Sequence, residues 1–428
     1  MHAAARSSAS LEQQSVWRRP DTRLRRRFPC CSGEGPATAA SSRDEAEGLA
    51  WRYNWDDDGA TLASKIRASF ESNVARGEAG VDGALAALQI AAEDDALMSV
   101  AGVPLPLEPW LQRLESIADD VCSSLSQHSG RSPLDIVATV DGVFYGTHRF
   151  KPPGRGRGVL SSNTVVDMPG VHSDPAHAYA HTALVKRTAL PPLLALLYSD
   201  VWRRVYARGA VNFAIHIPLA STDEVPVAVP LPHLHLGGSI AINTWPAADA
   251  LVQLLRHLKR CYWTHAWDTS LDDPACGPYG AGGGFLSIAA SLLGGDEGQD
   301  AATVAISRTA AHRLARGIWT SSGGGDVRRA RAACERLVLL LDQQRKCDSD
   351  AQCAEIAHAR ERRDLGAMLI LSGDVAAARS HLEACAAYAP AMATFTTAER
   401  AALEQLIQAL PELEQAPRQP VRRRGLPW

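Results

Sequence analysis

The chain has 428 residues, of which 46% are hydrophobic, and a formal net charge of −3 with a pI near 6.5. This length predicts two or three domains, and the composition is that of a globular protein. The near-neutral charge argues against binding to nucleic acid or membranes by charge alone. No apolar run reaches the ~18 residues that a membrane span needs. The nine cysteines are scattered and odd in number, which favours free thiols in a reducing compartment.

The first 45 residues are rich in Ser, Ala and Arg and contain few acids. This composition is typical of an organellar transit peptide. We therefore expect residues 1–45 to be disordered and to direct the protein to the chloroplast, with the mitochondrion as the alternative. An ordinary disordered basic tail is the second interpretation of the same composition.

Helical periodicity marks the part of the chain that follows. Apolar residues recur at helical spacing over 85–91, 111–125 and 134–144. The stretch 150–163 is basic and glycine-rich, but no helix signature follows it, so we predict a solvated loop rather than a phosphate-binding one. The glycine-rich segment 264–300 lacks the Lys-Ser/Thr of a nucleotide-binding loop and is predicted to be a flexible insertion.

In the stretch 174–218 the spacing of apolar residues changes from that of a helix to the alternation of a strand. A first helix ends before Pro191, and a second, apolar helix runs over 193–205. From 211 to 216 apolar and polar residues alternate, which indicates a strand. The pattern therefore predicts a buried helix that leads into a strand, with His216 near the end of that strand.

Motifs in this stretch and in the C-terminal third resemble those of one family. The first set is Asp174-Pro175, Tyr179, Leu184, Lys186-Arg187-Thr188, Pro191, Tyr198 and the Phe-x-x-His of 213–216. The second set is ERLVLLLD, RERRDLGAML and the Ala-Pro after Tyr388. Together they resemble the SirB-type transglutaminase-like proteins, over roughly residues 80 to 410. The resemblance implies an α+β fold, in which a transglutaminase-like (papain-related) core with a helical N-terminal part, over 46–300, is followed by an all-α domain of TPR-like helical repeats.

A papain-like or transglutaminase-like site combines a thiolate at a helix N-terminus, an imidazole base and a group that orients the imidazole. The resemblance places His216 at the base position and Asn243 at the orienting position, where the family has an aspartate. The nucleophile position is Leu193, and no Cys, Ser or Thr lies between Thr188 and Ser199. Leucine cannot attack a carbonyl, so we expect a degenerate core without catalytic activity.

Two other classes of function stay open. One is a cysteine-type acyl transferase or protease that uses His216 with a thiol from elsewhere in the chain, and Cys122 and Cys261 are the first thiols to test. The other is a metal hydrolase, since His177 and His181 have the i,i+4 spacing of a helix face. A third clear ligand and the adjacent Glu of a zinc-hydrolase helix are missing, so we predict no metal site and no cofactor.

The last third contains an internal repeat. The Gly-Asp-Val motifs that begin at Gly325 and Gly373 are 48 positions apart and each opens a helical pattern. A TPR unit has about 34 residues, so the extra residues are assigned to the linker between the pairs. We expect TPR-like repeats over 301–410, closed by a terminal helix over 398–410, and a disordered tail over 411–428.

Stacked helix pairs present a concave surface on which peptides bind. Arg328, Arg331, Arg363 and Arg379 are predicted to line this surface, together with Arg360, and to pair with acidic or C-terminal carboxylate groups of a partner. Solvated helix faces are the alternative explanation for these arginines. We therefore expect a protein-interaction or scaffold protein whose partner is a protein or peptide, rather than nucleic acid or a membrane.

Overall fold

The computed structural model describes twelve segments of the chain. They are residues 55–77, 80–98, 103–126, 132–153, 156–159, 165–168, 174–218, 225–231, 247–263, 284–293, 326–347 and 352–415. The predictions made for 1–45, for Asn243, for the start of the repeat region before residue 326 and for the tail beyond 415 lie outside the described residues.

Four helices open the described chain. They are α1 (Trp55–Val74), α2 (Gly83–Met98), α3 (Glu108–Ser126) and α4 (Pro133–Asp141). The helices predicted from periodicity in this region are thereby confirmed. A capping box begins α4, since Ser132 Oγ accepts a hydrogen bond from Asp135 N at 3.3 Å while the Asp135 carboxylate accepts one from Ser132 N at 3.1 Å. Buried residues occur on nearly every side of α2, so that helix lies inside the core.

The helix, helix and strand predicted over 174–218 are also confirmed. A 3₁₀ turn, Pro175–Ala178, leads into α5 (Ala180–Lys186), and α6 (Pro191–Ala207) follows. Pro191 occupies the first turn of α6, where its missing N–H costs no hydrogen bond. Strand β3 (Ala214–His216) ends the stretch.

Strands contribute two small antiparallel hairpins to the described residues. Strand β1 (Gly156–Val159) pairs with β2 (Val165–Met168), and β3 pairs with β4 (Val229–Leu231). The segment predicted to be a solvated loop therefore contributes β1. Its residues are glycine, arginine and valine, without the apolar alternation by which a strand is recognised in a sequence. The described chain is thus mostly helical, and a transglutaminase-like arrangement of its core stays a prediction.

Seven further helices form the C-terminal part of the described chain. They are α7 (Ala247–Tyr262), α8 (Phe285–Leu293), α9 (Val327–Cys347), α10 (Gln352–Leu371), α11 (Val375–Ala386), α12 (Ala389–Thr394) and α13 (Thr397–Gln415). Both helices predicted from the repeated Gly-Asp-Val motif exist. The aspartates of that motif, Asp326 and Asp374, accept hydrogen bonds from main-chain N–H groups in the first turns of α9 and α11.

Two glycines allow α10 and α11 to form a tight hairpin. Gly373 lies between the helices with φ 79°, a left-handed conformation that favours glycine. Within α10, a Cβ on Gly366 would lie only 2.5 Å from Cγ of Leu382 on α11. The helices approach so closely because this position has no side chain.

The structure differs from the sequence-based expectation at two further places. Helix α8 lies within the segment predicted to be a flexible insertion, and its Phe285 and Ile288 are buried. Helix α13 continues through Pro411 to Gln415, past the predicted start of the tail. Leu413, in this last turn, packs against the core, and this apolar contact offsets the cost of proline inside a helix.

Packing does not stop at the boundary predicted near residue 300. Residues from Asn54 onward form one compact unit, in which α7 packs along α9. Arg336 of α9 is fully buried, with Nη2 2.5 Å from Asp94 Oδ1 and Nε 3.0 Å from Glu93 Oε2, both on α2. The repeat-like helices are therefore joined to the N-terminal helices through the core. Among the described residues, no helix has the length and apolar character to cross a membrane.

Candidate functional site

The position that the resemblance assigns to the nucleophile is closed to solvent. Leu193 lies in the first turn of α6 and is 0% exposed. Leu194 and Leu197 on the same helix are as completely buried. The start of this helix thus belongs to the hydrophobic core, where a substrate carbonyl has no access.

His216, the predicted base, is the last residue of β3 and is half-buried. It lies opposite Val229 in the register of the β3–β4 hairpin. Asn243 lies outside the described residues, so its pairing with His216 stays a prediction.

Among the residues whose side chains the structure describes, four cysteines are free thiols: Cys122, Cys261, Cys334 and Cys385. Burial raises the pKa of Cys122, although the charge of Arg208 opposes the shift. Burial also raises the pKa of Cys334 well above its usual range and that of Cys385 to about 12. A nucleophilic thiol requires the opposite shift, so these three cysteines are protonated and unreactive at neutral pH.

Cys261, one of the two thiols proposed for the alternative enzyme, has a histidine beside it. Its Sγ lies 3.3 Å from Nε2 of His257, one turn earlier on α7. A neighbouring imidazole can activate a thiol, but Cys261 is 4% and His257 3% exposed. We interpret the pair as a buried contact within one helix, because a peptide substrate cannot reach it.

The histidines considered as metal ligands do not share a helix. His177 lies in the 3₁₀ turn and His181 in α5, and Tyr179 interrupts the helix between them with extended backbone angles. Within the described segments, no cluster of three or more His, Cys, Asp or Glu side chains has the geometry to hold a metal ion.

Three of the predicted partner-binding arginines reach the surface. Arg328 is exposed in the first turn of α9. Arg331 is 30% exposed, and its guanidinium lies 2.7 Å from Glu335 and 3.4 Å from Asp374. Arg379 is 34% exposed and 3.1 Å from a carboxylate of α13. Arg331 and Arg379 can therefore meet a partner only at the expense of existing ion pairs.

Arg363 lies inside the protein instead. Its guanidinium contacts Glu399 at 2.6 Å and Asp364 at 3.1 Å, and it lies over the rings of Phe285 and Phe395. This arginine therefore has no free surface to offer a partner. Its helical position could not show this, because Phe285 of α8 and Glu399 of α13 reach that side of α10 only in the folded chain.

A groove of about 300 Å³ opens between the end of α9, the first half of α10 and the end of α11. Small and polar residues from these helices line it: Arg345, Glu355, His358, Ala359, Arg362, Ala384, Ala387 and Tyr388. Sequence reasoning missed this groove. The signal was present, because positions 355, 358, 359 and 362 follow the i, i+3, i+4, i+7 spacing of one helix face.

One carboxylate organises the inner wall of the groove. Asp342 accepts two hydrogen bonds from Arg362 Nη2, at 3.0 and 3.1 Å, and lies 3.1 Å from His358 Nε2. Burial alone would raise the pKa of Asp342, but the hydrogen bonds and charges of His358 and Arg362 lower it to about 2. Asp342 is thus ionised at neutral pH and fixes the Arg362 guanidinium in place.

The outer wall is held more loosely. Arg345 is 45% exposed and lies 3.4 Å from Glu355, which also accepts a hydrogen bond from the Tyr388 hydroxyl. This hydrogen bond raises the pKa of Tyr388. The groove therefore combines one guanidinium that is fixed with one that can change partner.

No protein-family model, curated protein or solved structure matches this chain. The resemblance to the SirB-type family accordingly rests on the sequence motifs alone. The function is therefore argued from the geometry of the groove and of the buried core.

Proposed function

We propose that this chain is a non-catalytic interaction protein that binds a carboxylate-bearing peptide in the groove between α9, α10 and α11. The groove itself carries the proposal, because two guanidinium groups and an imidazole surround an open space of about 300 Å³. Guanidinium groups match the planar geometry of carboxylates and bind them through paired hydrogen bonds. The alanines of the lining leave room for the side chain or chain end that carries the carboxylate.

Arg345 is the group with which an incoming carboxylate would pair. Its present contact with Glu355 is long, at 3.4 Å, and nearly half of its side chain is exposed. When a peptide carboxylate takes the place of Glu355, the latter keeps its hydrogen bond from Tyr388. An unpaired buried charge would be costly, and this exchange of partners does not create one.

Two observations support the non-catalytic part of the proposal. Leu193 is buried where a nucleophile would be needed, and burial raises the pKa of Cys122, Cys334 and Cys385. A protein built for binding needs neither an activated thiol nor an open cleft at α6.

The second candidate is a cysteine acyl transferase, for which Cys261 is the thiol to test, although it is buried beside His257 at 3.3 Å. It predicts hydrolysis or transamidation of a casein substrate that disappears in Cys261→Ala. We expect no turnover by the wild-type chain and an unchanged result in His216→Ala. Turnover that depends on either residue would replace the binding proposal.

Selection of random peptides on the immobilised full-length protein tests the groove directly. We expect the selected peptides to be enriched in Asp and Glu, or to require a free C-terminal carboxylate. Arg345→Glu should weaken their binding by about tenfold or more, since a charge-assisted hydrogen bond is lost and a like charge is introduced. Arg76→Glu makes the same charge change at an exposed residue that does not line the groove, and it should bind normally. Peptides without acidic preference, or equal binding by both variants, would reject the groove as the site.

A further inference from the structure

A second charged surface is formed by residues from the N-terminal half of the chain. It lies where α3, α5 and the segment before β1 meet. Six basic side chains define this basic patch: Arg113, His148, Arg149, Lys151, Lys186 and Arg187. Except for His148, which lies 3.0 Å from Asp120, none of them forms an ion pair with a described residue. The remaining charges of the patch are therefore not neutralised within the described part of the protein.

Arg187 is at the centre of the patch. Its main-chain oxygen accepts a hydrogen bond from Lys151 N at 3.0 Å, and its guanidinium lies over the Phe150 ring at 4.7 Å. Nη1 of this guanidinium is shielded from solvent and has no hydrogen-bond partner among the residues that the structure describes. A bound water or anion would supply the acceptor that this guanidinium N–H requires.

Like charges are crowded around this donor. Burial and the neighbouring charge of Arg113 both lower the pKa of Arg187. Burial and the charges of Arg187 and Arg113 also lower the pKa of His148, in spite of its contact with Asp120. Two guanidinium groups from different parts of the chain therefore lie near an imidazole whose protonation they oppose, and an anion between them would relieve this repulsion.

The main chain is held in a costly conformation at the same place. Among the described residues, only Arg149 and Arg187 are non-glycine residues with positive φ, and both have φ 58°. The two segments are joined by a bridge between Lys151 and Thr188. Residues other than glycine rarely adopt this main-chain conformation, and such strain tends to occur at functional sites. Here it fixes the direction in which two arginines leave the main chain.

We infer that Arg187, Arg113 and His148 form a binding site for an oxyanion of the phosphate class, with Arg149, Lys151 and Lys186 at its rim. A tetrahedral dianion presents enough acceptor oxygens for donors that converge from several directions, whereas a single carboxylate presents two. A phosphate monoester and free phosphate share this chemistry. The site is separate from the peptide groove, so its failure would leave the proposed function untouched.

Calorimetric titration of the full-length protein with inorganic phosphate, pyrophosphate and phenyl phosphate tests the site, with sodium chloride at matched ionic strength as the control. We expect all three anions to bind, and preference for phenyl phosphate would identify a monoester as the ligand. Arg113→Gln and Arg187→Asn should each weaken binding by about tenfold, the effect of one lost charge-assisted hydrogen bond. Asparagine tolerates positive φ, so the second variant keeps the main chain in place.

Two matched variants and one spectroscopic readout complete the test. Arg76→Gln and Lys65→Gln, at exposed basic residues outside the patch and the groove, should bind phosphate as the wild type does. Bound phosphate should also raise the pKa of the His148 imidazole, followed by NMR, because the anion favours the imidazolium. Absence of binding, equal binding by Arg187→Asn and wild type, or binding of duplex DNA without binding of the small anions would overturn the inference.

Discussion

At the residue scale, Leu193 occupies the position that the resemblance assigns to a nucleophile, and it is packed as a core residue. The residue is fully buried in the first turn of α6, so Leu193→Ala leaves a cavity in the core. We expect a loss of about 2–5 kcal/mol in the free energy of unfolding, measured by urea denaturation. Leu134→Ala makes the same change at a residue that is 68% exposed and should shift stability by no more than about 0.5 kcal/mol. Equal effects of the two substitutions would show that Leu193 is not packed as described.

Asp342 gives the groove a dependence on pH that can be measured. Its pKa is lowered from an ordinary value of 3.8 to about 2. The ionised carboxylate therefore stabilises the fold fully at any pH above its ordinary pKa. This contribution is lost as the pH falls from about 4 to about 2. With 36% of the side chain exposed, solvent screening keeps the effect near 1 kcal/mol or below. Asp342→Asn should be less stable than the wild type at neutral pH, with the difference shrinking toward pH 2. A difference independent of pH would exclude this explanation.

At the scale of elements, periodicity was enough wherever one helix or strand face is buried. The patterns around Leu85 and Leu193 correctly predicted the helices α2 and α6, and the alternation around Ile215 correctly predicted the strand β3. The repeated Gly-Asp-Val motif located the starts of α9 and α11. Short elements without such a pattern were missed. Strand β1 consists of Gly-Arg-Gly-Val and is paired through its main chain, and α8 follows a glycine-rich segment.

The candidate site could be predicted only in part, for a related reason. Repeat spacing located the helices that form the groove, and the sequence motif identified Leu193 as unable to act as a nucleophile. Which arginine is buried depends on neighbours that are distant in the sequence. Arg363 contacts Glu399, and Arg362, next to it, contacts Asp342 on the other side of α10. One sequence cannot distinguish these two positions, because both are arginines on the same helix.

The contact between α7 and α10 contains a buried cluster that lets the role of a single ion pair be tested. Lys259 is 2% exposed, and its Nζ lies 2.5 Å from Glu361 and 2.7 Å from Asp364. Lys259→Met removes the cation and leaves two buried carboxylates without it, so we expect a loss of about 3–5 kcal/mol in stability. Lys65→Met, on the exposed side of α1, is the matched control and should be nearly neutral. Thermal and urea unfolding of both variants provide the measurement, and a neutral Lys259→Met would show that Arg363 and Arg256 suffice for these carboxylates.

At the scale of the whole molecule, buried polar contacts join parts of the chain that the sequence suggests are separate domains. Asp94 of α2 contacts Arg336 of α9 and accepts a hydrogen bond from Tyr179 at 2.6 Å. The Tyr179 hydroxyl lies 2.8 Å from that of Tyr262, at the end of α7, which accepts a hydrogen bond from Arg329. These contacts form a continuous chain of buried polar groups from the N-terminal helices to the start of the repeat-like helices.

This continuity predicts how the chain behaves when it is divided. Residues 301–410 were expected from the sequence to form a domain of their own. Expressed alone, they would leave Arg336 without Glu93 and Asp94, and would expose the side of α9 that packs on α7. Because unpaired buried charges and exposed apolar surface both destabilise a small unit, we expect the fragment to lack a cooperative thermal transition by circular dichroism.

The full-length protein should instead lose its helical signal, from these helices and from the N-terminal ones, in a single transition. A fragment with Arg336→Met and Glu361→Gln removes two charges whose partners are all missing from it. It should therefore be more helical than the unmodified fragment, although less stable than the intact chain, because the apolar contact with α7 is still absent. Cooperative unfolding of the unmodified fragment at the midpoint of the full-length protein would mean that the repeat-like helices form an independent domain. The buried contacts of Arg336 and Lys259 would then contribute to the interface between domains rather than to the stability of either one.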